Sequence, residues 1–235
     1  VRFVELLGEL GRRGAIERLV PLLTDRDTDV RQAAARALAK LGWKPTSEAQ
    51  RSIFAVAAQR WDDVVACGPQ AAEYLAAAVA DVRRAVRVPA IRCVGQIGGP
   101  SAAPTLLPLL GDRVPDVARA AAEALGALRA EASVDALCAA LGNPDVIDAA
   151  LHALAAIGGV RAVSGMMAAL QWMPPQQHPM VVDAVAQMGP AAVDALLLAV
   201  TGGSPAVRAG AARALGRLRD PRADVPLRRL AEDAD

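Results

Sequence analysis

The sequence predicts an all-α fold, an α-α superhelix of stacked helical hairpins, and three observations predict it. A short phrase recurs along the chain at a period of about 30 residues. Apolar residues between successive phrases fall at i, i+3 and i+7, the spacing of one face of an α-helix. The 235 residues are 54% hydrophobic but only 3% aromatic, so the core must be filled by Ala, Leu, Val and Ile, whose small side chains let helices approach closely.

The phrase runs Leu7-Gly8-Glu9-Leu10-Gly11, Leu38-Ala39-Lys40-Leu41-Gly42, Val94-Gly95-Gln96-Ile97-Gly98 and Leu125-Gly126-Ala127-Leu128-Arg129. It continues as Leu154-Ala155-Ala156-Ile157-Gly158, Val185-Ala186-Gln187-Met188-Gly189 and Leu215-Gly216-Arg217-Leu218-Arg219. One interval, between the second and third copies, is longer than the rest.

Each unit reads as two helices. The first carries a stripe such as Ile16, Leu19 and Leu23; Ala72, Leu75 and Val79; or Ala103, Leu106 and Leu110. Later units repeat it as Val134, Leu137 and Leu141; Val163, Met166 and Leu170; and Val193, Leu196 and Val200. A polar turn follows, for example Asp25-Arg26-Asp27-Thr28-Asp29 or Asn143-Pro144-Asp145. The second helix is expected to bury Val30, Ala34, Leu38 and Leu41 in one unit, and Val86, Ala90, Val94 and Ile97 in the next. It often ends at Gly, a helix stop, and Gly98-Gly99-Pro100 or Gly189-Pro190 restarts the chain, Pro being tolerated in a first helical turn.

A lone hairpin cannot cover its apolar stripe, but stacking does. Residues 1–235 are therefore expected to form a single array. Arg2 to Gly11 matches only a second helix and Arg222 to Asp233 only a first, so a fragment of a longer array, or one closed by irregular caps, is expected.

The long interval is a helical insertion at 43–67. Trp43-Lys44-Pro45 ends one repeat, and Thr46 or Ser47 suits the cap of a helix whose apolar face is Ile53, Phe54 and Ala57. Trp61-Asp62-Asp63-Val64-Val65 then leads to Gly68-Pro69. Two readings stay open: one or two extra helices that patch the stack with both Trp buried, or a ridge that contacts a partner.

These units resemble HEAT repeats, especially the short bacterial HEAT-like repeats of the phycobilisome-lyase type. The matching residues are the turns Asp25…Val30-Arg31 and Asp81…Val86-Arg87, the Leu-Gly-x-Leu endings, and Pro21 and Pro108 within first helices. The Trp-x-Pro…Trp-Asp-Asp-Val arrangement of the insertion also looks like a module of bacterial HEAT-like proteins. The resemblance implies a HEAT-like α-solenoid of the armadillo-like kind, in which Asp and Arg form a ladder between successive repeats. Here Asp112 faces Ala118 in that register, with Arg119 one place late, and later units lack the pair, so the ladder is expected only near the N-terminal half. The resemblance is weak on function, because one fold hosts many jobs.

Catalysis is not expected. His152 and His178 are the chain's only histidines, and neither is followed by Glu, so the His-Glu pairs of deoxyhypusine hydroxylase, a di-iron HEAT enzyme, are absent. No HExxH, GxSxG or Walker element is present. His152 and Asp183 share a register position in adjacent units and would meet as a polar surface contact, with no nucleophile supplied. Cys67, Cys93 and Cys138 have neither disulfide nor zinc spacing, so no metal or cofactor is expected. Small core thiols in a reducing compartment, and hence a cytoplasmic protein, fit them better.

Second helices line the inner face of such solenoids, which makes their solvent column the candidate binding surface. It runs Glu5, Arg36, Arg92, Glu123, His152, Asp183 and Arg213, with Gln32, Val88, Arg119, Asp148, Pro179 and Ala209 four residues earlier. The signs alternate, and the net charge is +1 from 26 basic and 25 acidic residues, so nucleic acid is not the expected partner. Nor is a membrane: the longest uncharged run, Ala162 to Val182, is broken by Pro174, Pro175 and Pro179 and by several Gln. A groove of mixed charge suits a protein or peptide. Val88 and Trp172 are its candidate apolar anchors, Trp172 lying in the Pro-rich turn Trp172-Met173-Pro174-Pro175. The sequence thus points to a non-catalytic interaction scaffold or regulatory segment. The alternative implied by the resemblance is an accessory, chaperone-like bilin lyase subunit.

Overall fold

A computed structural model describes residues 1–9 and 13–232. Leu10, Gly11 and Asp233 of the expected pattern lie outside the described residues. The chain forms two compact units, Val1–Thr105 and Leu106–Asp235. Among the described residues there are α- and 3-10 helices and no strand.

In the first unit, α1 (Arg2–Glu9) is followed by α2 (Arg13–Leu19), which tightens into a 3-10 segment, Val20–Thr24. Then come α3 (Thr28–Lys40), α4 (Glu48–Ala57), α5 (Trp61–Cys67), α6 (Ala72–Val79) and α7 (Arg84–Ile97). The helix α8 (Ala102–Leu106) ends the first unit at Thr105 and again tightens into a 3-10 segment, Leu107–Gly111, which belongs to the second. In the second unit follow α9 (Pro115–Ala127), α10 (Val134–Ala140), α11 (Ile147–Ile157), α12 (Gly159–Ala169), α13 (His178–Gln187), α14 (Val193–Gly202), α15 (Pro205–Leu218) and α16 (Asp224–Ala231).

The expected first helices around Pro21 and Pro108 are not continuous α-helix. Proline removes an N–H and clashes with the carbonyl four residues back, and in both cases the chain leaves the α-helix for the tighter 3-10 winding one residue before it. The buried row in three first helices also starts one residue earlier than expected. Ala15, Ala71 and Ala102 are buried, whereas Ile16, Ala72 and Ala103 are half-buried, so the row there runs at i, i+4 and i+8. Val30, Leu41 and Ile97, expected inside, are likewise only half-buried.

Hairpin partners pack as the pattern requires: α6 on α7, α10 on α11, α12 on α13 and α14 on α15. In the second unit the second helices form one row, α9, α11, α13 and α15, and the first helices another, α10, α12, α14 and α16. The fully buried side chains include Leu125, Leu137, Leu154 and Met166, each worth about 1.5–3 kcal/mol of burial. Close approach within the second-helix row is built into the repeated phrase. A Cβ on Gly126 of α9 would lie 2.7 Å from the Cα of Ala153 in α11, and one on Gly8 of α1 would lie 2.8 Å from the Cβ of Ala37 in α3. Gly98 and Gly158 end α7 and α11 at φ 74° and 75°, a conformation that disfavours any side chain.

The insertion is a short additional hairpin. Ser47 caps α4, accepting from the Gln50 N–H at 3.2 Å, while the backbone N–H of Thr46 donates to the Gln50 side chain at 2.9 Å. Helix α4 packs against α3 and α6, and α5 packs against α4 and α7. Yet the repeats on either side meet directly at their turns. The Thr28 hydroxyl donates to Asp81, Arg31 approaches Asp81 at 3.9 Å, and Arg83 reaches Asp29 at 2.6 Å. The inserted pair therefore acts as a wedge that separates its neighbours at one end only. Both its tryptophans are half-buried, Trp43 standing against Phe54 with ring centroids 5.6 Å apart.

Candidate interaction face

Burial by core positions leaves one side of each second helix to solvent, and the predicted column falls there. Arg36 and Arg92 in the first unit are exposed, as are Glu123, His152, Asp183 and Arg213 in the second. The flanking Arg119 is exposed too, whereas Val88 is half-buried.

The structure does not bring all of these together. In the first unit the inserted α5, not α3, lies against α7, so Arg36 and Arg92 are not on adjoining helices of the row. The period alone placed them in successive units and could not show which helix the insertion puts between them. In the second unit the rows are uninterrupted, and a cleft of about 350 Å³ opens between α9 and α11. Arg119, Glu123, Asp148 and His152 line it, over a floor of Gly126, Ala149 and Ala153. The small floor residues follow from the close approach of Gly126 to Ala153, and the charged residues stand one turn apart on each helix.

The polar contacts differ from the expected ones. Among the described residues no hydrogen bond joins His152 to Asp183; Asp183 pairs instead with Arg217, one turn along α15 from Arg213. Arg119 pairs with Asp116 of its own helix at 2.9 Å, so it takes no part in a ladder between repeats. The ladder has a rung where it was expected. Arg31 donates to the carbonyls of Asp25 and Arg26 and to Thr28, at 2.8, 3.1 and 2.5 Å, and faces Asp81. Burial pushes the Asp81 carboxyl up, but hydrogen bonds from Arg83 and Thr28 outweigh it and hold the group at about 2. Burial also lowers Arg31, against the raising pull of Asp81.

Sequence reasoning missed other pairs. Asp135 meets Arg161 at 2.5 Å and Asp194 meets Arg222 at 2.7 Å, linking the N-terminal ends of successive first helices. Their spacing, near one repeat, was a signal available in the sequence.

Trp172 is 54% exposed, yet one edge of its ring lies over Gly142, where a Cβ would come within 3.6 Å of it. It is thus neither buried nor free of the fold, and it sits at the end of α12, away from the residues that line the cleft. The imidazole of His178 lies 3.0 Å from the Met173 carbonyl and braces the same turn. Val82, in the turn between α6 and α7, is 96% exposed and was not singled out.

Among the described residues no group of three or more His, Cys, Asp or Glu is placed to hold a metal ion. Burial pushes the Cys93 and Cys138 thiols up to about 11, so neither is an activated nucleophile. No single described helix is long and apolar enough to cross a membrane.

The HEAT-repeat family profile matches residues 1–67 and 71–155, most of the chain, including the insertion. The chain belongs to the HEAT-repeat family. The profile described as the PBS lyase HEAT-like repeat matches residues 207–233. Among solved structures, the CpcE–CpcF complex of phycocyanin lyase from Nostoc is 22% identical at a TM-score of 0.46, with 90% of this chain and 79% of that one covered. An engineered protein is 23% identical at a TM-score of 0.44, covering 87% and 96%. Human deoxyhypusine hydroxylase, in complex with glycerol, is 20% identical at a TM-score of 0.35, covering 97% and 93%. A search of curated proteins found no match.

Proposed function

We propose that this HEAT-repeat chain is a non-catalytic interaction segment that binds a protein or peptide along the exposed face of its second helices. The observation that carries the proposal is the cleft between α9 and α11, where Arg119, Glu123, Asp148 and His152 stand over a floor of Gly and Ala. Two carboxylates, a guanidinium and an imidazole on neighbouring helices present both signs of charge within one cleft. That suits the mixed polar groups of a polypeptide better than the uniform charge of a phosphate chain. A role without catalysis is part of this proposal, and the raised Cys93 and Cys138 thiols fit it, because neither is readily ionised to a nucleophile. Three free cysteines fit a reducing compartment, and we assign the chain to the cytoplasm on that ground.

The test is site-specific photocrosslinking in cells of the source organism. A photoreactive amino acid replaces Ala127, at the edge of the cleft, or Leu198, exposed on α14 in the first-helix row. The expected result is a discrete protein adduct from position 127, absent from position 198 and lost when Arg119→Glu and Glu123→Arg are introduced together. Adducts that form equally at both positions, or that survive the charge reversals, would refute the assignment.

A further inference from the structure

The first unit carries a second cleft, separate from the one between α9 and α11. It has a volume of about 590 Å³ and opens between the end of α3 and the inserted hairpin. That volume lies within the range of pockets that accept small ligands or anchoring side chains. Trp43 and Phe54, in tilted contact at 5.6 Å, form an aromatic wall. Lys44, Arg51 and Arg60 supply cations and Asp63 a carboxylate.

The charges here do not cancel. Asp63 is taken by Arg60 at 2.7 Å. Among the described residues no carboxylate pairs with Lys44 or Arg51, and both are exposed. Two unmatched cations thus flank an apolar cleft in a chain whose net charge is only +1. Ser47 and its cap fix the start of α4, and so hold Arg51 and Phe54 in place relative to Trp43.

We propose that this cleft is the docking site for an acidic peptide segment of a partner protein. One apolar side chain of the peptide inserts against Trp43 and Phe54, and flanking carboxylates meet Lys44 and Arg51. Charge complementarity selects an acidic occupant. The aromatic wall selects a segment with an apolar anchor, because half-buried rings reward an apolar side chain laid against them and give a uniform polyanion nothing. A nucleic acid strand would call for a longer track of cations than two flanking one cleft.

The probe is a fluorescein-labelled peptide, Glu-Glu-Leu-Phe-Glu-Glu, titrated with the full chain and followed by anisotropy. Its comparisons are the same peptide with Lys for Glu, the same peptide with Gly for Leu and Phe, and a labelled single-stranded oligonucleotide. The expected result is saturable binding of the acidic apolar peptide alone. Affinity should fall by about tenfold or more in Lys44→Glu/Arg51→Glu and stay unchanged in Glu123→Arg, which alters only the second-helix face. If the double reversal does not fold by circular dichroism, Arg51→Gln takes its place, with a smaller loss expected in the same direction. No saturable binding would overturn the proposal. So would equal binding of the Lys or Gly peptide, equal binding of the oligonucleotide, or affinity unaffected by the cleft variants. The separate outcome for Glu123→Arg keeps this cleft distinguishable from the proposed interaction face.

Discussion

Arg31 and Asp81 meet at 3.9 Å with only 5% of each side chain exposed, and they do so across an inserted hairpin that separates their repeats in sequence. The contact closes because the hairpin wedges its neighbours apart at one end while their turns stay together. Thr28 bridges the two, donating to Asp81 and accepting from Arg31. Arg83 completes the network from the far side, at 3.1 Å from Asp81 and 2.6 Å from Asp29.

Removal of one member should therefore cost far more than removal of a surface charge. Asp81→Ala leaves Arg31 buried with its guanidinium short of a counter-ion, and breaking such pairs costs about 3–5 kcal/mol. The acid dependence follows from the carboxyl held at about 2, below an unfolded value of about 3.9. Stability from this group is fully present above the unfolded value and is lost as pH falls through the folded one. Denaturant unfolding at pH 7, 4 and 2.5 should show that loss in the native chain, and the contribution should be gone from Asp81→Asn. An Asp81→Asn variant with native stability at pH 7 would contradict the account.

This rung was legible in the sequence because Asp25…Arg31 and Asp81…Arg87 repeat a turn pattern, and the exposed column was legible because helical period alone separates core from solvent. Other features were not. A period says which residues share a register but not which helices become neighbours once an insertion intervenes, and so Arg36 and Arg92 were aligned on paper yet α5 packs against α7. Likewise, Asp183 has two partners within reach of its register, and only the three-dimensional row shows that it takes Arg217 and not His152. The cleft at Trp43 depends on how α4 folds back on α3, which no local pattern encodes.

Two glycines of the repeated phrase should respond to alanine with opposite signs. Gly126 has no room, its Cβ position lying 2.7 Å from the Cα of Ala153, so the two helices must separate. Overpacking of this kind costs about 1–3 kcal/mol. Gly216, inside α15, has nothing within 4 Å of its Cβ position, and there alanine should gain about 0.5–1 kcal/mol through helix propensity. Thermal melts of the two single variants check both signs at once. A Gly126→Ala chain as stable as the native one would show that the α9–α11 contact is looser than described.

Cys93 and Cys138 should be quiet. Cys93 is buried, its thiol 3.7 Å from the Trp61 carbonyl, and burial holds both Cys93 and Cys138 at about 11. Below that value they remain thiols, and the thiolate is the nucleophile. Iodoacetamide at pH 8 should leave both unmodified in the native chain and alkylate them readily in denaturant, as read by mass spectrometry of tryptic fragments. Rapid native alkylation of either would show that its surroundings open.

The cleft between α9 and α11 should be separable from stability and indifferent to DNA. Arg119, Glu123 and His152 are exposed, and exposed charge pairs contribute about 0–1 kcal/mol, so Arg119→Glu with Glu123→Arg should melt within a few degrees of the native chain. That insensitivity is what makes the variant useful: a lost interaction can then be assigned to the face and not to unfolding. The same alternation of sign limits binding to duplex DNA. A protein that neutralises few phosphates gains little from counterion release, so binding should be weak even at low salt and undetectable near physiological ionic strength. A fluorescence anisotropy titration of labelled duplex at about 50 and 200 mM salt measures this directly. Submicromolar affinity that persists at the higher concentration would mean that a contiguous basic track exists, and the assignment of this face to a polypeptide would have to be abandoned.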